Sequence, residues 1–152
     1  KEVVLGIRQR GGDLRFFHAE DVKSGTLAKY VNEHVSGSVE VIVTDDSSSY
    51  PKALDDAAPP LFGNMRSKHK TIKHSAGEYV TGDIHTNTVE SAFSLLKRGI
   101  VGSWHKVSAK HLSRYLAEME FRFNRRKNSD LFVDTLRHMV TADPLSFAEL
   151  VK

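Results

Sequence analysis

Two β-rich runs meet at a Gly-Gly-Asp turn near the start of the chain, and this limits the fold more than any other feature. "EVVLGIRQ" runs from Glu2 to Gln9, Gly11-Gly12-Asp13 interrupts it, and "LRFFHAE" resumes an extended pattern from Leu14 to Glu20. β-Branched and aromatic residues suit a pleated strand, and Gly with Asp suits a tight reversal, so the pair reads as an antiparallel hairpin. Ser24 is placed to cap a helix through "GTLAKYVNEHV", in which Leu27, Tyr30, Val31 and Val35 recur at helical spacing before Gly37 stops it. "VEVIVTDD", Val39 to Asp46, is then a β-branched run of the kind buried in the middle of a sheet, expected beside the hairpin.

The remainder is mostly helical. "SSYPKALDDAA" reads as a short helix or turn, Pro59-Pro60 as a break, and Thr71 to Lys73 as an extended piece. "NTVESAFSLLKRGIV" sets Val89, Phe93, Leu96 and Ile100 along one side of a helix. A break between Gly102 and His105 precedes "SAKHLSRYLAEMEFRFNRR", with an apolar stripe of Leu112, Tyr115, Leu116, Met119 and Phe123. "DLFVDTLRHMV" is a last helical segment. Hairpin, helix, strand and further helices give an α/β order, a mixed sheet flanked by helices.

At 152 residues and 39% hydrophobic content, one domain over 1–152 with a single core is expected. With no cysteine, disulfides and thiolate metal sites are excluded, which fits a reducing compartment. No apolar run reaches the length of a membrane span and no secretory signal opens the chain. The chain starts on Lys1, directly before a strand-like run, so it reads as a fragment of a longer protein.

The net charge is only +3, but between Arg66 and Lys127 thirteen Lys and Arg face five Asp and Glu. A basic middle suits a polyanion such as nucleic acid, or is a solvated basic face. Within it, Asn87-Thr88-Val89-Glu90 has the form of a helix cap, in which both side chains satisfy free backbone N–H groups. Glu90 is equally suited to hold a divalent ion with Asp45, which falls at the carboxyl end of a strand, where open α/β sheets place ligands. Lys97, seven positions after Glu90 and thus about two helical turns on, projects from nearly the same face and is placed to hold a phosphate.

Across "VTDDSSSYPKAL", "HKTIKHSAGEYV" and "GDIHTNTVESAFSLLKRGIVGSWHKVSAKHLSRYLAEMEFRFNRR" the chain closely resembles bacterial insertion-sequence transposases of the ISXO-two-like group, the IS fifteen-ninety-five family. The likeness runs from "VVLGIRQRGG" to "FRFNRR". It implies an RNase H-like fold and DDE-type chemistry, in which Mg²⁺ (or Mn²⁺) supports cleavage and strand transfer at transposon ends. Asp45 matches the family's second catalytic Asp, Glu90 its third acidic position and Lys97 the basic residue that follows. Asn87 lies in the same block and is an alternative metal ligand. The basic residues Lys97, Arg98, Lys106, Lys110 and Arg114 are the expected DNA contacts. A homodimer, and a cytoplasmic protein associated with the nucleoid when bound to DNA, follow from the same resemblance.

The first catalytic Asp of that fold lies on a strand upstream of the hairpin, and no acidic residue before Asp45 fits it; Glu2 sits at a strand start, Asp13 in a turn. The expected fold therefore lacks the first strand, and the metal site is incomplete. A remnant that only binds DNA, and a host nuclease or resolvase of the same fold, are the competing readings. His69, His74 and His85 match no zinc-ligand spacing. Trp104 is a candidate for base stacking or for packing, and Arg122, Arg125 and Arg126 for phosphate contacts or a solvated helix end.

Overall fold

The computed structural model describes residues 2–57, 65–72, 87–144 and 146–150. Strands β1 (Val3–Arg8) and β2 (Leu14–Ala19) pair antiparallel, with Val3 opposite Ala19 and Arg8 opposite Leu14. Gly11 turns the chain at a φ of 69°, which a side chain would resist. The expected hairpin is present, with strand bounds within a residue or so of those read from the sequence.

Alternation along the strands gives each face its own core. On one face, Leu14 and Phe16 of β2 are buried with Ala92 and Leu96 of α3 (Asn87–Arg98) and with Leu112, Leu116 and Phe123 of α4 (Leu112–Asn124). Here Gly6 of β1 allows close approach, because a Cβ on it would stand 2.9 Å from the ring of Phe93. The other face meets α1 (Ser24–His34), whose Tyr30 and His34 rings lie 4.9 and 4.4 Å from Phe17. Leu27, Ala28 and Val31 of α1, Ala53 and Leu54 of α2 (Ser49–Asp56), Ala57 and Met65 form a second cluster, and Leu5 of β1 packs against it. Each large apolar side chain so buried contributes on the order of 1.5–3 kcal/mol. The hairpin is thus the wall between two clusters.

The strand after α1 departs from expectation. Only Ile42–Thr44 is extended (β3); it is half-buried and pairs in parallel with β4 (His69–Thr71), Ile42 opposite His69. Among the described residues the strands form two separate two-stranded sheets, so β3 neither lies in the middle of a sheet nor bonds to the hairpin. Three β-branched residues satisfy local propensity, but the choice of neighbour is made by long-range pairing, which propensity does not encode.

Helix starts also differ. Ser24 is the first residue of α1 and makes no cap; Lys23 takes the N-cap position. Asp21 fixes this entry instead, its Oδ1 accepting from the Thr26 hydroxyl at 2.6 Å and the Lys23 N–H at 3.0 Å, and these bonds hold its carboxyl below the usual range. The break between Gly102 and His105 is a π-helical turn, Gly99–Trp104, that prolongs α3 and ends at His105 with a φ of 55°. A 3₁₀ turn, Ala109–His111, leads into α4. Beyond it lie α5 (Leu131–Thr141) and the one-turn α6 (Phe147–Leu150). Among the described residues, no helix is long and apolar enough to cross a membrane.

Candidate active site

Asp45 follows the last residue of β3 directly and is exposed. Its Oδ1 accepts the Ser47 N–H at 3.2 Å, which turns the chain toward α2. Its carbonyl accepts the Thr44 hydroxyl at 2.7 Å. Thr44 Oγ1 also lies 2.8 Å from His69 Nε2, and His69 Nδ1 lies 3.1 Å from an Arg66 Nη1. Arginine only donates and the Thr44 hydrogen is already committed, so His69 is assigned the neutral form with its proton on Nε2. Burial and the Arg66 charge both hold its pKa below the ordinary value. Tyr50, at the start of α2, is shifted upward by burial and by the Asp45 charge. The end of β3 is therefore pinned by a run of bonds from Arg66 through His69 and Thr44 to Asp45.

Glu90 stands in the first turn of α3 and is exposed. A carboxylate there is favoured by the helix dipole, so its position serves both the capping and the metal reading. Asn87 is the first residue of the helix, but its side chain lies outside the described residues. Lys97 is exposed in the last turn, and Ser94, also exposed, falls between it and Glu90 on the same side. Ala92 and Leu96 point the opposite way, into the core. The structure thus brings Glu90, Ser94 and Lys97 onto one polar face of α3. Ser94 was not singled out from sequence, although its spacing of four from Glu90 was visible.

Asp45 and Glu90 are carried on different supports. Ile42 joins β3 to the second cluster, whereas α3 belongs to the first. β1 connects them, since Val4 packs against one cluster and Leu5 against the other. Among the described residues, no three His, Cys, Asp or Glu side chains gather as a metal site. As for donor chemistry, exposed carboxylate oxygens are the hard donors that Mg²⁺ or Mn²⁺ takes, and the chain offers no thiolate.

Lys97, Arg98, Lys106, Lys110 and Arg114 are all exposed, from the last turn of α3 to the first of α4. Arg114 donates from Nη2 to the Glu149 carbonyl at 3.0 Å. Arg122, Arg125 and Arg126 make intramolecular contacts: Arg122 pairs with Glu118 at 2.8 Å, Arg125 stacks on Phe121 at 4.7 Å and Arg126 on Phe123 at 4.1 Å. Arg8, which sequence reasoning passed over, sits over the same Phe123 ring at 5.3 Å. Its Nε and Nη1 are buried and, among the described residues, without a hydrogen-bond partner. Trp104 packs as core: it is half-buried against the first cluster, its ring 4.8 Å from Tyr115 and lying over Gly99. His74 and His85 lie outside the described residues.

These features define a mixed α/β domain with small sheets and a run of exposed basic residues from α3 to α4. Residues 1–124 match the family of the ISXO2-like transposase domain, and the chain belongs to that family. No curated protein and no solved structure matches the chain.

Proposed function

We propose that residues 1–152 form the greater part of one RNase H-like catalytic domain, short of its first strand, and that the complete domain cleaves and joins DNA at the ends of an insertion sequence. Asp45 and Glu90 hold Mg²⁺ or Mn²⁺, with Asn87 as a further donor. The bound metal supplies an activated attacking oxygen and steadies the leaving one. Lys97 holds a phosphate beside the two carboxylates, and Arg98, Lys106, Lys110 and Arg114 extend the contact along the DNA backbone. Such a protein works on nucleoid DNA in the cytoplasm.

The observation that carries this reading is the polar face of α3, where Glu90, Ser94 and Lys97 are exposed opposite the buried Ala92 and Leu96. None of the three is buried in the core. The fold assignment draws support from the two small sheets. β1 and β3 each pair on one edge among the described residues, and both touch the second cluster, through Leu5 and Ile42. An RNase H-like arrangement sets one more strand, with one more acid, between them. The test is nicking of an end-bearing duplex by the complete transposase in Mg²⁺. Asp45→Asn and Glu90→Gln are expected to abolish nicking and leave duplex binding in place; cleavage at the normal rate by either variant refutes the assignment.

A DNA-binding protein without catalysis is the second reading. The absence, among the described residues, of a three-membered acidic or histidine cluster favours it. Salt-sensitive duplex binding by the complete protein, without nicking in either Mg²⁺ or Mn²⁺, would establish it.

A further inference from the structure

Of the large apolar side chains exposed among the described residues, five lie on α5: Phe132 (74%), Val133 (52%), Leu136 (45%), Met139 (71%) and Val140 (84%). At 100° per residue they fall within an arc of about 120°. The half-buried residues of the helix are Leu131, Asp134 and Thr135, on the opposite side, so α5 turns its apolar face outward. No described side chain of this 11-residue helix is buried, and a helix of that length is marginal in water unless its apolar face is covered. It also lies beyond residue 124, outside the part matched to the family.

The spacing of the stripe suggests what covers it. Leu136 is at the centre, Val133 and Met139 lie three positions to either side, and Phe132 and Val140 four. A second α5 running antiparallel about a two-fold axis at Leu136 sets Leu136 against Leu136, Phe132 against the partner's Val140, and Val133 against the partner's Met139. Phe132 and Met139 each meet a valine, and every contact recurs with the two copies exchanged, as a two-fold interface requires. Phe132 offers on the order of 150 Å². The stripe as a whole offers about 500 Å² per copy, so a pair buries about 1,000 Å², where specific interfaces begin. Within α5 Asp134 and Arg137 form an ion pair at 3.0 Å, so the helix itself carries none of the basic excess that an anionic lipid surface recruits.

We propose that α5 is a homodimer interface in which two copies pair antiparallel across Leu136. This does not rest on the catalytic reading. Light scattering on the 1–152 chain over a range of concentrations is expected to show a dimer, and Leu136→Asp to raise its dissociation constant at least tenfold with an unchanged circular dichroism spectrum. The absence of cysteine allows a positional check. Under mild oxidation Leu136→Cys is expected to cross-link to itself, and Phe132→Cys only when mixed with Val140→Cys. A monomer at every concentration, dimerisation unaffected by Leu136→Asp, or self-cross-linking of Phe132→Cys alone would each overturn the proposal, the last by showing parallel helices.

Discussion

Asn124 bonds to both backbone groups of Leu14, a residue 110 positions away: its Oδ1 accepts the Leu14 N–H and its Nδ2 donates to the Leu14 carbonyl, each at 2.8 Å. Two residues along β2, the Phe16 N–H donates to the Glu120 carboxylate. The outer edge of the hairpin is therefore satisfied by side chains of α4, as a neighbouring strand would satisfy it.

Replacing Asn124 with Ala leaves two partly buried backbone groups without partners. A cost of about 1–3 kcal/mol in unfolding free energy is expected, measured by urea denaturation. Asn124→Asp keeps the acceptor but loses the donor, and should fall between Ala and the parent. Equal stability of Ala and the parent would show that the edge bonds contribute nothing net.

Gly6 faces Phe93 and Phe16, and a Cβ there would stand 2.9 and 3.2 Å from their rings. Gly6→Ala is expected to lose about 1–3 kcal/mol through overpacking, with a lower thermal midpoint. Pairing it with Phe93→Leu should recover part of the loss, because the smaller side chain leaves room for the new methyl. Recovery is the diagnostic result; a loss untouched by the second change would place the strain elsewhere.

The pKa of His69 lies below its ordinary value of 6.5, through burial and the neighbouring Arg66. The unfolded imidazole takes up a proton near the ordinary value while the folded one resists, so this contribution is whole above that pH and drains away as pH falls below it. Protonation at Nδ1 would also break the bond from Arg66. Unfolding free energies between about pH 5 and 8 should fall more steeply toward acid for the parent than for His69→Asn. Parallel curves would contradict the assignment.

For DNA binding, removing one cation that neutralises a phosphate is expected to flatten the dependence of log K on log salt by about 0.9. Lys97→Ala and Lys106→Ala should each show that change on any duplex sequence, whereas Glu118→Gln should not. An unchanged slope for Lys97→Ala would remove it from the residues proposed to hold phosphate.

Much of the architecture was legible in the residues themselves. β-Branched and aromatic runs on either side of a Gly-Gly-Asp turn gave β1 and β2, and period-3.6 spacing gave the buried stripe of α4, Leu112, Leu116 and Phe123, because strand propensity, turn chemistry and helical period are all local properties of the backbone. The motifs likewise carried the family. Long-range choices were not legible. That β3 pairs in parallel with β4 and not with the hairpin depends on which surfaces meet after collapse. So do the role of Asn124 in closing an edge and the packing of Trp104 against the first cluster.

By itself the sequence determined local conformation, the transposase family and the residue types available for catalysis, since these reside in spacing and identity. Tertiary structure alone decided that the hairpin separates two clusters, that β3 pairs with β4, and that α5 turns its apolar side to solvent. Those are relations between surfaces distant in the chain, and close packing selects among them only once the whole core is assembled.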